Sequence, residues 1–247
     1  MNIIALIPAR MGSSRFPGKP MAKINGKPMI GHVYERVSQS PLLQQTVVAT
    51  CDTEIYDYIK SIGGNAVMTS DTHERASDRC AEALEKLEQT NNIKYDIIVM
   101  VQGDEPMTHP NMINESVEPM LSDPNILVTN LIANIENEDD FNDRNCIKVV
   151  CDLMNNALYF SREPIPTQFK TRNVPMFKQV CVIPFRRDFL LEYIKLEPTP
   201  LEIVESVDMM RILEHGYKVK MIPTAYDTKA VDTLEDLKKV EKILSKL

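Results

Sequence analysis

The chain has 247 residues, enough for one large domain with a substantial core. Charged residues make up 26% and apolar residues 43%, as in an ordinary globular protein, and the net charge of −7 argues against non-specific nucleic-acid binding as the main task. No apolar run approaches the ~20 residues of a membrane-spanning helix, the N-terminus opens on a strand pattern instead of a signal peptide, and the five cysteines contain no CxxC pair, so free thiols in a cytoplasmic setting are expected.

Residues 3–7 form an apolar run closed by Pro8 and read as a buried first strand. The loop beyond it, Arg10-Met11-Gly12-Ser13-Ser14-Arg15-Phe16-Pro17-Gly18-Lys19-Pro20, sets three fixed cations among glycines, serines and prolines. Glycine and serine let the main chain approach a phosphate, and the cations neutralise it. A nucleoside triphosphate is the first candidate ligand; a surface loop that merely turns the chain fits the same residue types. It is not a Walker A loop, because five residues separate Gly12 from Gly18 and Pro20 stands where a metal-binding hydroxyl belongs. Pro20 also argues against a helix starting on Lys19.

Helix (29–38), strand (47–50), helix (53–62), strand (66–68) and amphipathic helix (77–90) patterns follow in turn, then an apolar strand at 96–101. Repeated β–α units predict a parallel, doubly wound sheet, since parallel strands need crossovers. Before the helix at 77–90, His73-Glu74-Arg75-Ala76-Ser77-Asp78-Arg79 reads equally as an anion-binding helix start or as a surface helix with Asp78 in its first turn. At the end of the strand at 96–101 lies Gln102-Gly103-Asp104-Glu105-Pro106. A carboxylate just past such a strand points into the crevice reached by the loop after strand one. Asp104 can be an ion-pair partner of the cations or a ligand for Mg²⁺, with Glu105 standing behind it.

The middle of the chain reads differently, with strands at 126–132, 146–151, 157–160 and 178–184 separated by polar turns and by a proline-containing loop at 163–175. This predicts an antiparallel extension used for acceptor binding or subunit contact. A helix at 201–215 ends at Gly216, a strand follows at 218–222, and a last helix at 234–247 starts after Thr233, with Asp236 at capping-box spacing. Asp232 reads either as an N-cap or, because Thr233 can take that cap, as a second metal-binding carboxylate. The four histidines are scattered without zinc-ligand spacing.

Taken together, Ile7-Pro8-Ala9-Arg10, Ser14 to Pro20, Val101 to Pro106, Ala157-Leu158-Tyr159-Phe160-Ser161-Arg162 and Val231-Asp232-Thr233 resemble the CMP-Kdo synthetases, the cytidylyltransferases that activate 3-deoxy-manno-octulosonate (Kdo). The resemblance covers nearly the whole chain. It implies a Rossmann-like nucleotide-diphospho-sugar transferase fold in a single domain, with a nucleotide-binding half over about residues 1–125 and an acceptor and dimerisation part over about 126–220. It implies Mg²⁺-dependent transfer of CMP from CTP to a Kdo-like sugar acid, and a homodimer. In that scheme Ala9, Arg10, Ser14, Arg15, Lys19 and Gln102 bind CTP, with Arg15 and Lys19 serving the leaving pyrophosphate, and Asp104 and Asp232 hold the metal. Arg79, Gln179, Glu202 and Glu205 fall on the acceptor side. There the chain departs from the family pattern: Arg75, Ala76 and Ser77 replace Ser, Gly and Thr, Gln179 replaces a sugar-binding histidine, and Cys181 and Ile183 replace small and aromatic positions. These replacements predict an anionic acceptor altered relative to Kdo, with Kdo the poorer substrate. A non-catalytic nucleotide sensor stands further off, because both carboxylates are present.

Overall fold

The computed structural model describes residues 1–12, 16–171, 174–226 and 228–246. In chain order β1 (Ile3–Ala9) leads through a 3-10 turn at Lys19–Met21 and a short hairpin, β2 (Lys23–Ile24) and β3 (Lys27–Pro28), into α1 (Met29–Val37). Next come β4 (Gln45–Thr50), α2 (Thr53–Ser61), β5 (Ala66–Met68), α3 (Ala76–Asn91), β6 (Ile97–Val101) and α4 (Pro110–Ser122). The middle contains β7 (Thr129–Asn134), α5 (Glu138–Asn142), β8 (Lys148–Cys151), β9 (Ala157–Ser161), β10 (Phe177–Val180) and β11 (Val182–Arg186). The chain finishes with α6 (Arg187–Tyr193), α7 (Pro200–Glu205), α8 (Asp208–Glu214), β12 (Lys220–Pro223) and α9 (Leu234–Leu244).

The first sheet has the order β11-β6-β1-β4-β5, parallel except for β11, which runs antiparallel along β6. Its strands are apolar on both faces, and successive residues alternate between two cores. Ile4, Leu6, Val47, Ile98 and Met100 pack toward α3, α6 and α8. Ile3, Ala5, Ile7, Val48, Ile97 and Val99 pack toward α1, α2 and α4. Helices on both faces make this the expected doubly wound α/β architecture.

The antiparallel extension is a second sheet, ordered β12-β7-β10-β8-β9. All its pairs are antiparallel except β12 with β7. The expected strand over 178–184 is divided at Cys181: β10 pairs with β7 and β8 in the second sheet, while β11 pairs with β6 in the first. Alternation cannot show this change of partner, because both halves are extended and pleated and the pairing partner is not written in the local pattern.

The expected helix over 201–215 is also two helices. Ser206 sits in the left-handed region at φ 52°, and Arg162 caps the end of α7 by donating from Nε to the Glu205 carbonyl at 2.6 Å and from Nη2 to that of Ser206 at 3.1 Å. A 3-10 turn does begin at Lys19, despite Pro20. Gly18, at φ 74°, reverses the chain, and the Met21 amide bonds back to the Gly18 carbonyl at 2.9 Å, so the turn is tight and ends at once. No helix among the described residues is long and apolar enough to cross a membrane.

Candidate functional site

The C-terminal edge of the first sheet and the facing side of the second enclose a cleft of about 1440 Å³. Pro8, Ala9 and Arg10 enter it from the end of β1, and Gln102, Asp104 and Glu105 from the end of β6. The two loops pack closely. A Cβ on Gly103 would lie 2.9 Å from the Pro8 carbonyl oxygen, so only glycine lets the β6 loop cross β1 there.

Lys19 reaches both candidate metal-binding carboxylates. Its Nζ donates to Asp104 Oδ2 at 2.6 Å and to Asp232 Oδ1 at 3.3 Å. Burial alone would lower the lysine's pKa, but the two carboxylates outweigh it and the pKa rises, so the ammonium stays charged at neutral pH. Asp232 is placed by its flanks. Val231 is buried against Ile24, Met29, Met107 and Val240, and the expected capping box forms, with Thr233 accepting from the Asp236 amide at 3.2 Å and Asp236 accepting from the Thr233 amide at 3.0 Å.

Two carboxylates around one cation leave a net negative point made of hard oxygen donors. That donor set suits Mg²⁺, which takes one or two carboxylates and completes its shell with phosphate oxygens and water. No cluster of three or more acidic, histidine or cysteine ligands occurs among the described residues, so such an ion would rely on its substrates for further ligands.

Glu105 is only 4% exposed and its Oε2 has no hydrogen-bond partner. Burial, reinforced by the neighbouring Asp104, pushes its pKa up to about 8. The sequence places this residue behind Asp104 but gives no sign of its burial.

Of the residues expected on the acceptor side, Arg79 lies in the first turn of α3, is almost wholly buried, and donates to Thr69 Oγ1 at 2.5 Å and to the Ser70 carbonyl at 3.1 Å. Arg10 reaches the His73 carbonyl at 3.5 Å, and Arg75 pairs with Asp208 at 3.1 Å and with Glu202. Glu202 lines the cleft, yet its oxygens serve the protein: it takes Arg211 through Nε and Nη2 at 2.8 and 2.9 Å and caps α7 at Thr199. Glu205 accepts from the Tyr159 hydroxyl at 3.0 Å and the Arg162 amide at 2.8 Å, tying β9 to α7. Both glutamates therefore hold the cleft wall together.

Gln179 lines the cleft and bonds to Asn130. Lys178, Lys229 and Tyr226 also line it, without a sequence motif to announce them. Ser14 and Arg15 lie outside the described residues.

The chain matches the cytidylyltransferase family model over residues 4–222. It is 41% identical over its full length to a 3-deoxy-manno-octulosonate cytidylyltransferase of Geobacter metallireducens, covering 99% of that protein. A protein of the same name from Fusobacterium nucleatum is 39% identical over 97% of this chain and 96% of its own length. A solved CMP:2-keto-3-deoxy-manno-octonic acid synthetase complexed with CTP superposes with a TM-score of 0.91 at 35% identity, covering 100% of this chain and 99% of the other. A 4-diphosphocytidyl-2C-methyl-D-erythritol synthase from Anaerococcus prevotii, at 13% identity and a TM-score of 0.66, shares the fold.

Proposed function

The chain belongs to the cytidylyltransferase family, and on that premise we propose that it transfers CMP from CTP to 3-deoxy-manno-octulosonate with release of pyrophosphate. Full-length similarity to relatives named for that reaction supports this acceptor and does not favour the altered acceptor that Gln179, Cys181 and Ile183 suggest in the sequence. The observation that carries the chemistry is the junction of Lys19 with Asp104 and Asp232 at the mouth of the two sheet loops.

Arg10 and Lys19 neutralise the triphosphate, Ala9 and Gln102 border the nucleotide, and Arg79 and Gln179 face the sugar acid. Asp104 and Asp232 would hold Mg²⁺. When bound, the ion offsets charge developing at the α-phosphate and lowers the pKa of the acceptor hydroxyl. Transfer of this kind depends on positioning and charge neutralisation more than on covalent chemistry. The acceptor hydroxyl attacks the α-phosphorus in line, and the Lys19 ammonium faces the charge that gathers on the departing pyrophosphate. Ser14 and Arg15 belong to the same phosphate-binding role on the resemblance of their loop.

A second copy of the chain is proposed as a partner. Leu158 on β9 and Ile203 and Val204 on α7 are 60%, 65% and 77% exposed, on elements joined by the Tyr159–Glu205 bond. Light scattering should give a dimer mass that Ile203→Lys with Val204→Lys lowers to that of one chain.

Pyrophosphate release with 3-deoxy-manno-octulosonate and each of the four nucleoside triphosphates tests the reaction. Release with CTP, dependent on both substrates, is expected; none with this acceptor would overturn the reading.

A further inference from the structure

Asn130 on β7 is a fully buried polar residue lying behind the cleft wall. Its Nδ2 donates to the Val180 carbonyl at 2.7 Å and to the Leu131 carbonyl at 3.1 Å. Those two acceptors fix which end of the amide is nitrogen. Oδ1 is then the end left to accept, and it receives Nε2 of Gln179 at 2.6 Å. The contact is set by the antiparallel pairing of β7 with β10, which matches Val180 with Leu131 and Gln179 with Ile132.

A glutamine side chain has a donor end and an acceptor end, and one known end fixes the other. With its NH₂ turned to Asn130, Gln179 turns its carbonyl oxygen away from β7. We propose that Asn130 is a positioning residue that fixes the Gln179 amide so that its carbonyl oxygen, facing the cleft, accepts a hydrogen bond from a hydroxyl of the sugar acid. This rests on the acceptor reading above. A neutral carbonyl oxygen does not attract a carboxylate, so the acid group is left to the arginines and Gln179 reads a hydroxyl. The buried network costs nothing in unmatched polar groups, because every polar end of Asn130 is paired.

The test is steady-state kinetics with CTP and 3-deoxy-manno-octulosonate on Gln179→Met, Asn130→Ala and the double variant, with melting curves for each. Loss of one hydrogen bond predicts that Gln179→Met raises KM for the sugar acid about ten-fold while KM for CTP stays within about two-fold. Asn130→Ala should raise the same KM, and the double variant should be no worse than Gln179→Met, since both remove one contact. Asn130→Asp, which keeps the oxygen facing Nε2 but loses the donors, should recover most of the KM although it melts earlier. Should the alanine variant not fold, Asn130→Ser, too short to reach Gln179, takes its place.

An unchanged sugar-acid KM in Gln179→Met overturns the inference. So do additive penalties, or a KM that follows melting temperature across the Asn130 variants. No turnover by the parent chain with this acceptor would overturn the acceptor reading itself, and this inference with it.

Discussion

The Val231 amide donates to the Asp104 carbonyl oxygen at 3.0 Å. One main-chain bond thus sets the spacing between two acidic side chains, Asp104 and Asp232, that lie far apart in sequence, each the neighbour or the owner of a bonded group. Their positions are inherited from the backbone, and the side chains need only the right charge.

Asp104→Asn and Asp232→Asn should each lower kcat by roughly 10²-fold or more, because each removes charge needed at the reacting phosphate. The changes are isosteric, so the melting temperature should stay near that of the parent chain. Turnover close to normal in either variant would remove that residue from the metal-binding role.

Lys19→Ala should lower kcat and kcat/KM together, the mark of an interaction that strengthens in the transition state. Lys19→Arg should restore little, since the guanidinium is broader and directs its hydrogen bonds differently. A rise confined to KM for CTP would show ground-state binding instead.

Glu105 makes stability depend on pH. The ordinary carboxyl value is 4.5, while burial and Asp104 push the folded value up to about 8. Between these values the folded chain binds more protons than the unfolded chain, so stability falls as pH rises. Glu105→Gln has no such proton to lose. Its melting temperature relative to the parent should climb between about pH 5 and about pH 8, and a constant difference across that window would refute the assignment.

Gly103→Ala would push a methyl against the Pro8 carbonyl oxygen, and a shift of the β6 loop to relieve it would move the adjoining Asp104. A stability loss of about 1–3 kcal/mol is expected, with a larger proportional loss of kcat than of folded protein. Chemical denaturation and single-turnover rates measured on the same preparation separate the two effects.

Much of the first sheet is legible from the sequence because its strands are long apolar runs between amphipathic helices, and the expected strand over 66–68 coincides with β5. Thr233 with Asp236, and Gly216 at φ 81°, are equally legible, since capping and left-handed turns need particular residues. The helix α4 is hard to read because Pro119 lies inside it. The division at Cys181 is hidden because pairing partners are a long-range matter that local alternation does not encode. At the site, charged residues in motifs stand out, whereas Lys178 on the cleft wall and Asn130 behind it carry no pattern and are placed by strand pairing alone.

The change of sheet at Cys181 has a consequence for how such a cleft can diversify. The Gln102 amide bonds to the Cys181 carbonyl at 3.2 Å, and Gln179 stands two residues earlier on the same peptide. One short stretch of covalent chain is thus a ruler between Gln102, on the proposed nucleotide side, and Gln179, on the proposed acceptor side. Side-chain replacements at 179, 181 and 183 can retune what the acceptor side accepts while the ruler keeps its length. A single inserted residue would shift the register of β10 or β11 and turn the following side chains of that strand to the opposite face. Side chains at this point can therefore change within what the packing around Ile183 allows, but the length of the stretch cannot.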